Sequence, residues 1–119
     1  MSKNKSGRKT PKEFFDSFSE ESENALYLVD YTTKFKKSIG LCYRRGSDLE
    51  LLEKVVKILS VKGILPESYL PHPLKGYKKK TNETVMECHI QPDWLLAWLQ
   101  NNNELTLLLT DTGTHSDLF

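Results

Sequence analysis

The chain has 119 residues, of which 38% are hydrophobic and 28% charged, and its formal net charge is +1. This length is typical of one domain with a core of its own, and no apolar run approaches the roughly 20 residues that cross a bilayer. The basic first residues lead into no apolar signal segment, so we expect a cytoplasmic protein with no membrane partner.

The small net charge conceals a strong asymmetry along the chain. Residues 1–24 carry five basic and five acidic side chains, residues 32–80 carry twelve Lys or Arg and four acids, and residues 81–119 carry six acids and no Lys or Arg. A cationic middle is expected where a polyanion docks. Two solvated helices with lysine-rich outer faces would give the same pattern, and charge alone does not choose between them.

The first predicted element is a short amphipathic helix near the N-terminus. The sequence TPKE at residues 10–13 reads as a capping box with proline at the first helical position, and the phenylalanines that follow share one face. The polar residues around it are typical of a flexible segment. We therefore predict an N-terminal extension over residues 1–24 and a main domain over residues 25–119.

Two longer helices follow a short β-type run at residues 25–31. The first is predicted from after Thr32 to about Arg45, and the second from a capping box at residues 47–50 to Gly63. Each has an apolar stripe at helical spacing, so together they predict an αα-hairpin. The inward residues are Phe35, Ile39 and Cys42 or Tyr43 in the first helix, and Leu49, Leu52, Val56 and Leu59 in the second.

The second half of the chain reads as strands. Three prolines make residues 64–76 a loop, and runs compatible with antiparallel strands follow at residues 77–80, 85–90, 94–99 and 105–112. The connections between the later strands are rich in asparagine, which favours turns. The order predicts an α+β fold in which an antiparallel sheet of four to five strands packs on an N-terminal αα-hairpin.

Three histidines are the candidates for chemistry. Side chains alternate along a strand, so His89 lies on the face opposite to Cys88 and its apolar neighbours, while His72 stands between two prolines that stiffen the backbone. His115 follows the last predicted strand. Each histidine alone is more often a surface or structural residue. Imidazole can nevertheless gain or lose a proton near neutrality, which suits acid–base catalysis.

A zinc site is the first specific alternative, because three histidines and Asp93 could bind the ion. The sequence contains no HxH or HxxxH pair, and Pro92 argues against one helix that carries both His89 and Asp93. We predict no metal and no cofactor. Cys42 and Cys88 are expected to be small buried residues without a function.

Catalysis by imidazoles beside a cationic block points to a phosphodiester substrate. RNA supplies its own nucleophile, the 2′-OH, so an enzyme that cleaves it needs a base, an acid and cations around the phosphorane.

Three stretches of the sequence, HPLKG at residues 72–76, HIQPDW at 89–94 and GTHSDLF at 113–119, resemble in this order the signature stretches of YafQ-type toxins in the RelE superfamily of type II toxin–antitoxin modules. The resemblance extends more loosely over residues 25–119. It implies a RelE-like fold and a ribosome-dependent endoribonuclease, an mRNA interferase. It also implies three partners: the 70S ribosome, mRNA and a neutralising, DNA-binding antitoxin.

The same resemblance assigns catalytic positions to His72, His89, Asp93 and His115. Attack of the 2′-OH on the adjacent phosphate would leave a 2′,3′-cyclic phosphate, with His72 or His89 activating the 2′-OH and His115 protonating the leaving oxygen. Phe119 would stack on a base. The basic side chains expected to hold RNA are Lys34, Lys36, Lys37, Arg44, Arg45, Lys54, Lys57, Lys75, Lys78, Lys79 and Lys80.

Two other functions compete with the nuclease. A ParE-like toxin that inhibits gyrase would share the superfamily, but such toxins typically lack this histidine set. A non-catalytic RNA-binding domain would use the histidines only for stacking or hydrogen bonding. The segment between the first two signature stretches is also longer than is usual for the family, and residues 1–24 have no counterpart in its minimal toxin.

Overall fold

The computed structural model describes residues 8–19, 24–74 and 83–119, which form one five-stranded sheet and four α-helices. Within these ranges no helix is both long enough and apolar enough to cross a bilayer. In chain order the elements are α1 (Pro11–Asp16), β1 (Leu28–Tyr31), α2 (Thr33–Arg44), α3 (Leu49–Lys62), a 3-10 turn (Glu67–Tyr69), β2 (His72–Pro73), β3 (Glu83–Gln91), β4 (Trp94–Asn101), β5 (Thr106–Gly113) and α4 (His115–Leu118).

The helices begin and end at the polar residues and glycines that the sequence offers for this purpose. The Thr10 capping box is present, and the Thr32 side chain accepts a hydrogen bond from the backbone of α2. The N-cap of α3 is Asp48, not Ser47, because the Asp48 carboxylate accepts from the Glu50 backbone. Gly63 ends α3 in the left-handed region at φ 75°, and a Cβ there would lie 2.6 Å from the Tyr27 hydroxyl.

The sheet has the strand order β1-β5-β4-β3-β2, and the predicted α+β fold class is confirmed. Three of the four strand pairs are antiparallel, whereas β1 pairs with β5 in parallel, so the sheet is mixed. The region predicted as loop at residues 64–76 includes the 3-10 turn and the two-residue strand β2. The strand predicted at residues 77–80 lies outside the described residues.

Helices α2 and α3 cover one face of the sheet and build the hydrophobic core with it. Phe35 and Leu52 are 0% exposed on the helices, as are Cys88, Leu96 and Leu107 on the strands beneath them. Burying an aliphatic or aromatic side chain of this kind contributes roughly 1.5–3 kcal/mol. This face of β3 is apolar at Cys88, so the polar side chains that flank Cys88 lie on the other face.

Residues 8–19 of the N-terminal segment pack on the αα-hairpin. Phe14 in α1 is 0% exposed, and its ring centroid lies 6.1 Å from that of Phe35. Lys9 forms an ion pair with Glu53 at 2.7 Å, and the Arg8 guanidinium stacks on the Tyr43 ring at 4.1 Å. The part of the segment described by the structure therefore adds to the core of the main domain.

Replacing Phe14 by alanine should lower the free energy of unfolding by about 3–5 kcal/mol, because it removes a fully buried aromatic ring and leaves a cavity. Urea denaturation followed by circular dichroism measures the change. Lys12→Ala, in the same helix but with its side chain 85% exposed, is the control and should change stability by no more than about 0.5 kcal/mol. A loss as small as the control's for Phe14→Ala would show that α1 is not docked on the hairpin in solution.

Candidate active site

Strand β3 places a carboxylate and an imidazole on the face of the sheet that the helices leave uncovered. Cys88 faces the core, so Glu87 and His89 on either side of it project away from the helices. In the sheet register His72 lies opposite Glu87, and Leu95 lies opposite both His89 and Gly113. The polar groups of β2, β3 and the end of β5 therefore share one region of this face.

His72 is fixed through both of its ring nitrogens. Its Nδ1 lies 2.9 Å from the carbonyl oxygen of Leu70, and its Nε2 lies 3.1 Å from Glu87 Oε1. A carbonyl can only accept, so Nδ1 carries a hydrogen and donates it. Leu70 adopts the left-handed conformation at φ 52° that turns this carbonyl toward the ring, a strained geometry for leucine. A hydrogen bond between His72 Nε2 and Glu87 Oε1 then needs a hydrogen on one of these two atoms.

Glu87 is 5% exposed, and its second carboxylate oxygen, Oε2, is buried without a hydrogen-bond partner within the described residues. An unpaired buried carboxylate oxygen is costly, and such groups concentrate at functional sites. Glu87 was missed as a site residue from sequence, although strand alternation places it on the same face as His89. The signal that could have found it was a glutamate two residues from a candidate catalytic histidine; its burial depends on the β2 pairing.

His115 is held by Asp93, which lies in the tight turn between β3 and β4. Asp93 Oδ1 accepts from His115 Nδ1 at 2.8 Å and from the His115 backbone at 3.1 Å. These hydrogen bonds hold the pKa of Asp93 below its usual range. Because Nδ1 of His115 donates to a carboxylate, Nε2 is the ring nitrogen that remains available for proton transfer.

The three imidazoles that the sequence singled out lie in a row. The ring centroids of His72 and His89 are 6.4 Å apart, and those of His89 and His115 are 5.6 Å apart. His89 Nδ1 lies 3.3 Å from the Pro92 carbonyl oxygen, which again can only accept. The structure thus brings residues from β2, β3, the β3–β4 turn and α4 into one cluster, with a carboxylate at each end of the row.

The C-terminal helix α4 carries His115 and is tied to the hairpin by a second carboxylate. Arg45 donates to Asp117 through both terminal nitrogens, at 2.6 and 3.3 Å. This guanidinium lowers the pKa of the Asp117 carboxyl to about 2. Beside the pair is a hollow of about 380 Å³, whose lining includes Arg45, Asp93, Trp94 and Gly113.

Some of the side chains predicted to hold RNA form ion pairs with carboxylates of this chain. Lys34 pairs with Asp111 at 3.1 Å and Lys57 with Glu53 at 3.2 Å, in addition to the Arg45–Asp117 pair. Phe119 is 68% exposed at the end of α4. Lys36, Lys37, Arg44 and Lys54 are exposed on the helices. Lys75, Lys78, Lys79 and Lys80 lie outside the described residues.

Metal binding has no obvious donor set in this structure. In the parts of the chain described, no three or more His, Cys, Asp or Glu side chains are grouped so that they could hold a metal ion. The buried thiols do not change this, since burial raises the pKa of Cys42 to about 11 and of Cys88 to about 12.

The small mixed sheet packed on an αα-hairpin, together with the solved toxins that it resembles, places the chain in the RelE-like class of bacterial toxins. The family model described as "Bacterial toxin of type II toxin-antitoxin system, YafQ" matches residues 27–119. The chain belongs to this YafQ family, and it is an endoribonuclease, as the sequence predicted.

Individual relatives agree with the family match. The mRNA interferase toxin YafQ of Escherichia coli (strain B / BL21-DE3) is 30% identical over 96 residues, which cover 76% of this chain and 94% of that protein. A metal-bound toxin from Helicobacter pylori is 40% identical, with a TM-score of 0.68 over 76% of this chain and 97% of its own. A chain of the E. coli DinJ-YafQ complex is 29% identical, with a TM-score of 0.65 over 78% of this chain and 98% of its own.

The Asp117 carboxyl should stay ionised in the folded protein well below its ordinary pKa of about 3.9. A carboxyl with a pKa near 2 when folded binds fewer protons than the unfolded chain between about pH 2 and 4, so its ion pair contributes stability that is complete above this range and is lost as pH falls through it. Carbon-detected NMR of the Asp117 side chain measures the titration. In Arg45→Ala the midpoint should rise toward the ordinary value; an unchanged midpoint would contradict the assigned cause.

Proposed function

We propose that this toxin cleaves messenger RNA in the decoding site of the ribosome by metal-independent acid–base catalysis. The observation that carries the proposal is the row of three imidazoles with a carboxylate at each end, His72–Glu87 and His115–Asp93. The name of the E. coli relative, mRNA interferase toxin, supports the substrate class. The reaction joins the 2′-oxygen to the adjacent phosphorus and breaks the bond to the 5′-oxygen.

His89 is the general base of the proposed reaction. Its Nδ1 donates to the Pro92 carbonyl, so the neutral ring presents a lone pair at Nε2. That lone pair accepts the proton of the 2′-OH as the 2′-oxygen attacks the phosphorus. His89 is also the middle ring of the row, which allows it to approach a phosphate that the other two rings flank.

His115 is the general acid. Asp93 accepts from its Nδ1, so Nε2 is the nitrogen that carries the transferable proton in the imidazolium form. This proton goes to the leaving 5′-oxygen, and the products are a 2′,3′-cyclic phosphate and a free 5′-OH. No outside nucleophile, metal or cofactor enters this balance.

His72 stabilises charge on the phosphorane. Because both of its nitrogens are engaged by Leu70 and Glu87, it has no free lone pair with which to act as the base. Both N–H groups of a protonated His72 stay on Leu70 and Glu87, so the ring acts on the phosphorane through its positive charge and not through a hydrogen bond. Of the two histidines that the sequence offered for activating the 2′-OH, His89 is therefore the better candidate.

The cationic helical hairpin binds the ribosome and the message in the proposed function. The exposed Lys36, Lys37, Arg44 and Lys54 are suited to phosphate contacts, which orient a protein on RNA without reading its sequence. Phe119, one helical turn beyond His115, is placed to stack on a base near the scissile bond. We extend the role to Lys75 and Lys78–Lys80 on the basis of sequence alone.

A cognate antitoxin is the proposed regulator. A neighbouring structure is that of a DinJ-YafQ toxin–antitoxin complex, and this chain covers 98% of the matched chain. We propose that a DinJ-like, DNA-binding antitoxin neutralises this toxin in the cytoplasm.

Replacing His89 or His115 by alanine should each lower the rate of cleavage of ribosome-bound mRNA by about 10² to 10⁴-fold, because each change removes a proton-transfer group. His72→Ala should also slow cleavage through the loss of charge stabilisation. Single-turnover assays on programmed ribosomes measure the rate, and the wild-type products should end in a 2′,3′-cyclic phosphate. Lys12→Ala is the control. Wild-type rates in all three histidine variants would eliminate the mechanism.

Mapping of mRNA 5′ ends after induction separates this function from its competitors. Cuts in phase with codons support the ribosome-dependent nuclease. Intact mRNA with damaged DNA would indicate a gyrase inhibitor, and intact mRNA and DNA would indicate a binding domain without catalysis.

The double variant Lys36→Ala/Lys37→Ala should bind ribosomes more weakly while keeping the wild-type rate at saturation, because phosphate contacts position the enzyme without taking part in the reaction. The slope of log affinity against log salt should fall by about 0.7 to 0.9 for each lost contact. Filtration binding across a salt series measures it, with Lys12→Ala as the matched surface cation. A salt slope equal to that of the wild type would remove these lysines from the interface.

A further inference from the structure

We propose that Arg45 and Asp117 form a latch that holds the C-terminal helix α4 on the hairpin, so that Arg45 is a positioning residue for His115. This inference rests on the proposed function for the catalytic role of His115. It revises the expectation from sequence that Arg45 contacts RNA phosphate.

Helix α4 is too short to hold itself in place. It has four residues, and a helix this short does not hold its conformation by backbone hydrogen bonds alone. Its position must therefore come from contacts to other elements. Within the described residues these include Asp93 in the β3–β4 turn, which holds His115 itself, and Arg45 at the end of α2, which holds Asp117.

The Asp117 side chain is fixed by its surroundings. Its Oδ2 accepts from the Thr114 backbone at 2.9 Å, completing the capping box of α4, and also lies 2.6 Å from Arg45. Gly113 leaves the space for it, since a Cβ at that glycine would lie 2.6 Å from the same oxygen. The low pKa of the Asp117 carboxyl, about 2, has the Arg45 guanidinium as its largest cause.

The contact is directional as well as close. Both terminal nitrogens of Arg45 point at Asp117, and this two-point geometry sets the orientation of the carboxylate as well as its distance. Two of the five N–H donors of Arg45 are used in this way. The latch thus connects the helical hairpin to the helix that carries His115 and Phe119, which lie one turn apart on α4.

Loss of the latch should act on catalysis through position. We expect Arg45→Ala and Asp117→Ala each to lower kcat by about 10- to 100-fold with little change in KM, because a displacement on the order of 1 Å at a reacting group costs about 100-fold. If Arg45 acts only through Asp117, the double variant should lose no more than the single variants. Arg45→Lys, which retains one charged donor, should recover part of the loss.

An RNA contact would give a different pattern. Arg45→Ala would then raise KM and flatten the salt dependence, and its effect would add to that of Asp117→Ala. This pattern would overturn the latch. The matched control is the exposed Lys12–Asp16 pair, at 2.9 Å, whose alanine variants should leave kcat and KM unchanged.

NMR of the full chain tests the latch without any cleavage assay. In both latch variants the amides of residues 115–119 should exchange with solvent at least tenfold faster, and the His115 ring resonances should shift, whereas Lys12→Ala should leave them in place. If both latch variants show these changes but the wild-type protein cleaves no RNA, the latch stands and the proposed function is rejected. A wild type that cleaves mRNA, with latch variants showing neither the NMR changes nor the kcat loss, would reject the latch alone.

Discussion

The alternation of side chains along β3 is the constraint on which the candidate site depends. The helical hairpin requires an apolar surface beneath it, and Cys88 belongs to that surface. Its neighbours Glu87 and His89 must then lie on the opposite face. A shift of one residue in the register of β3 would bury the imidazole under the helices and expose the thiol. The packing of the core therefore also determines the position of the proposed base.

The functional groups of the candidate site are held in position in two different ways. Glu87 and His89 stand on β3, which pairs with β4 at both residues and with the short β2 at Glu87. His115 stands on a helix of four residues whose position depends on contacts from Asp93 and Arg45. The proposed base is thus placed by the sheet and the proposed acid by a few polar contacts.

The fold could be predicted from sequence where the signal is local. The periodicity of α2 and α3, the glycine that ends α3 and the alternation of β3 all act within a few residues, and the structure agrees with each. The parallel pairing of β1 with β5 and the β2 strand depend on residues far apart in the chain, so no local pattern announces them. The burial of Phe14 is of the same kind, since its partners belong to the hairpin.

The candidate site was predictable in its members and not in its hydrogen bonds. Three signature stretches named His72, His89, Asp93 and His115, and the structure gathers them at one end of the sheet. The nitrogen that His89 keeps free is set by the Pro92 carbonyl, and one nitrogen of His72 is occupied by the Leu70 carbonyl; a sequence pattern does not show where such backbone oxygens lie. The choice of His89 over His72 as the base therefore needed coordinates.

The C-terminal third of the chain is acidic, and a strongly negative segment would be expected to repel RNA. The structure places four of its acids within ion-pair distance of a basic group; the lysine and arginine partners neutralise their carboxylates, and the histidine partners do so when protonated. The pairs are Glu87 with His72, Asp93 with His115, Asp111 with Lys34 and Asp117 with Arg45. Three of the four lie in or beside the histidine cluster, where they set proton positions and hold α4. The acids near the cationic hairpin are therefore also the groups that hold the histidine cluster and α4 in position.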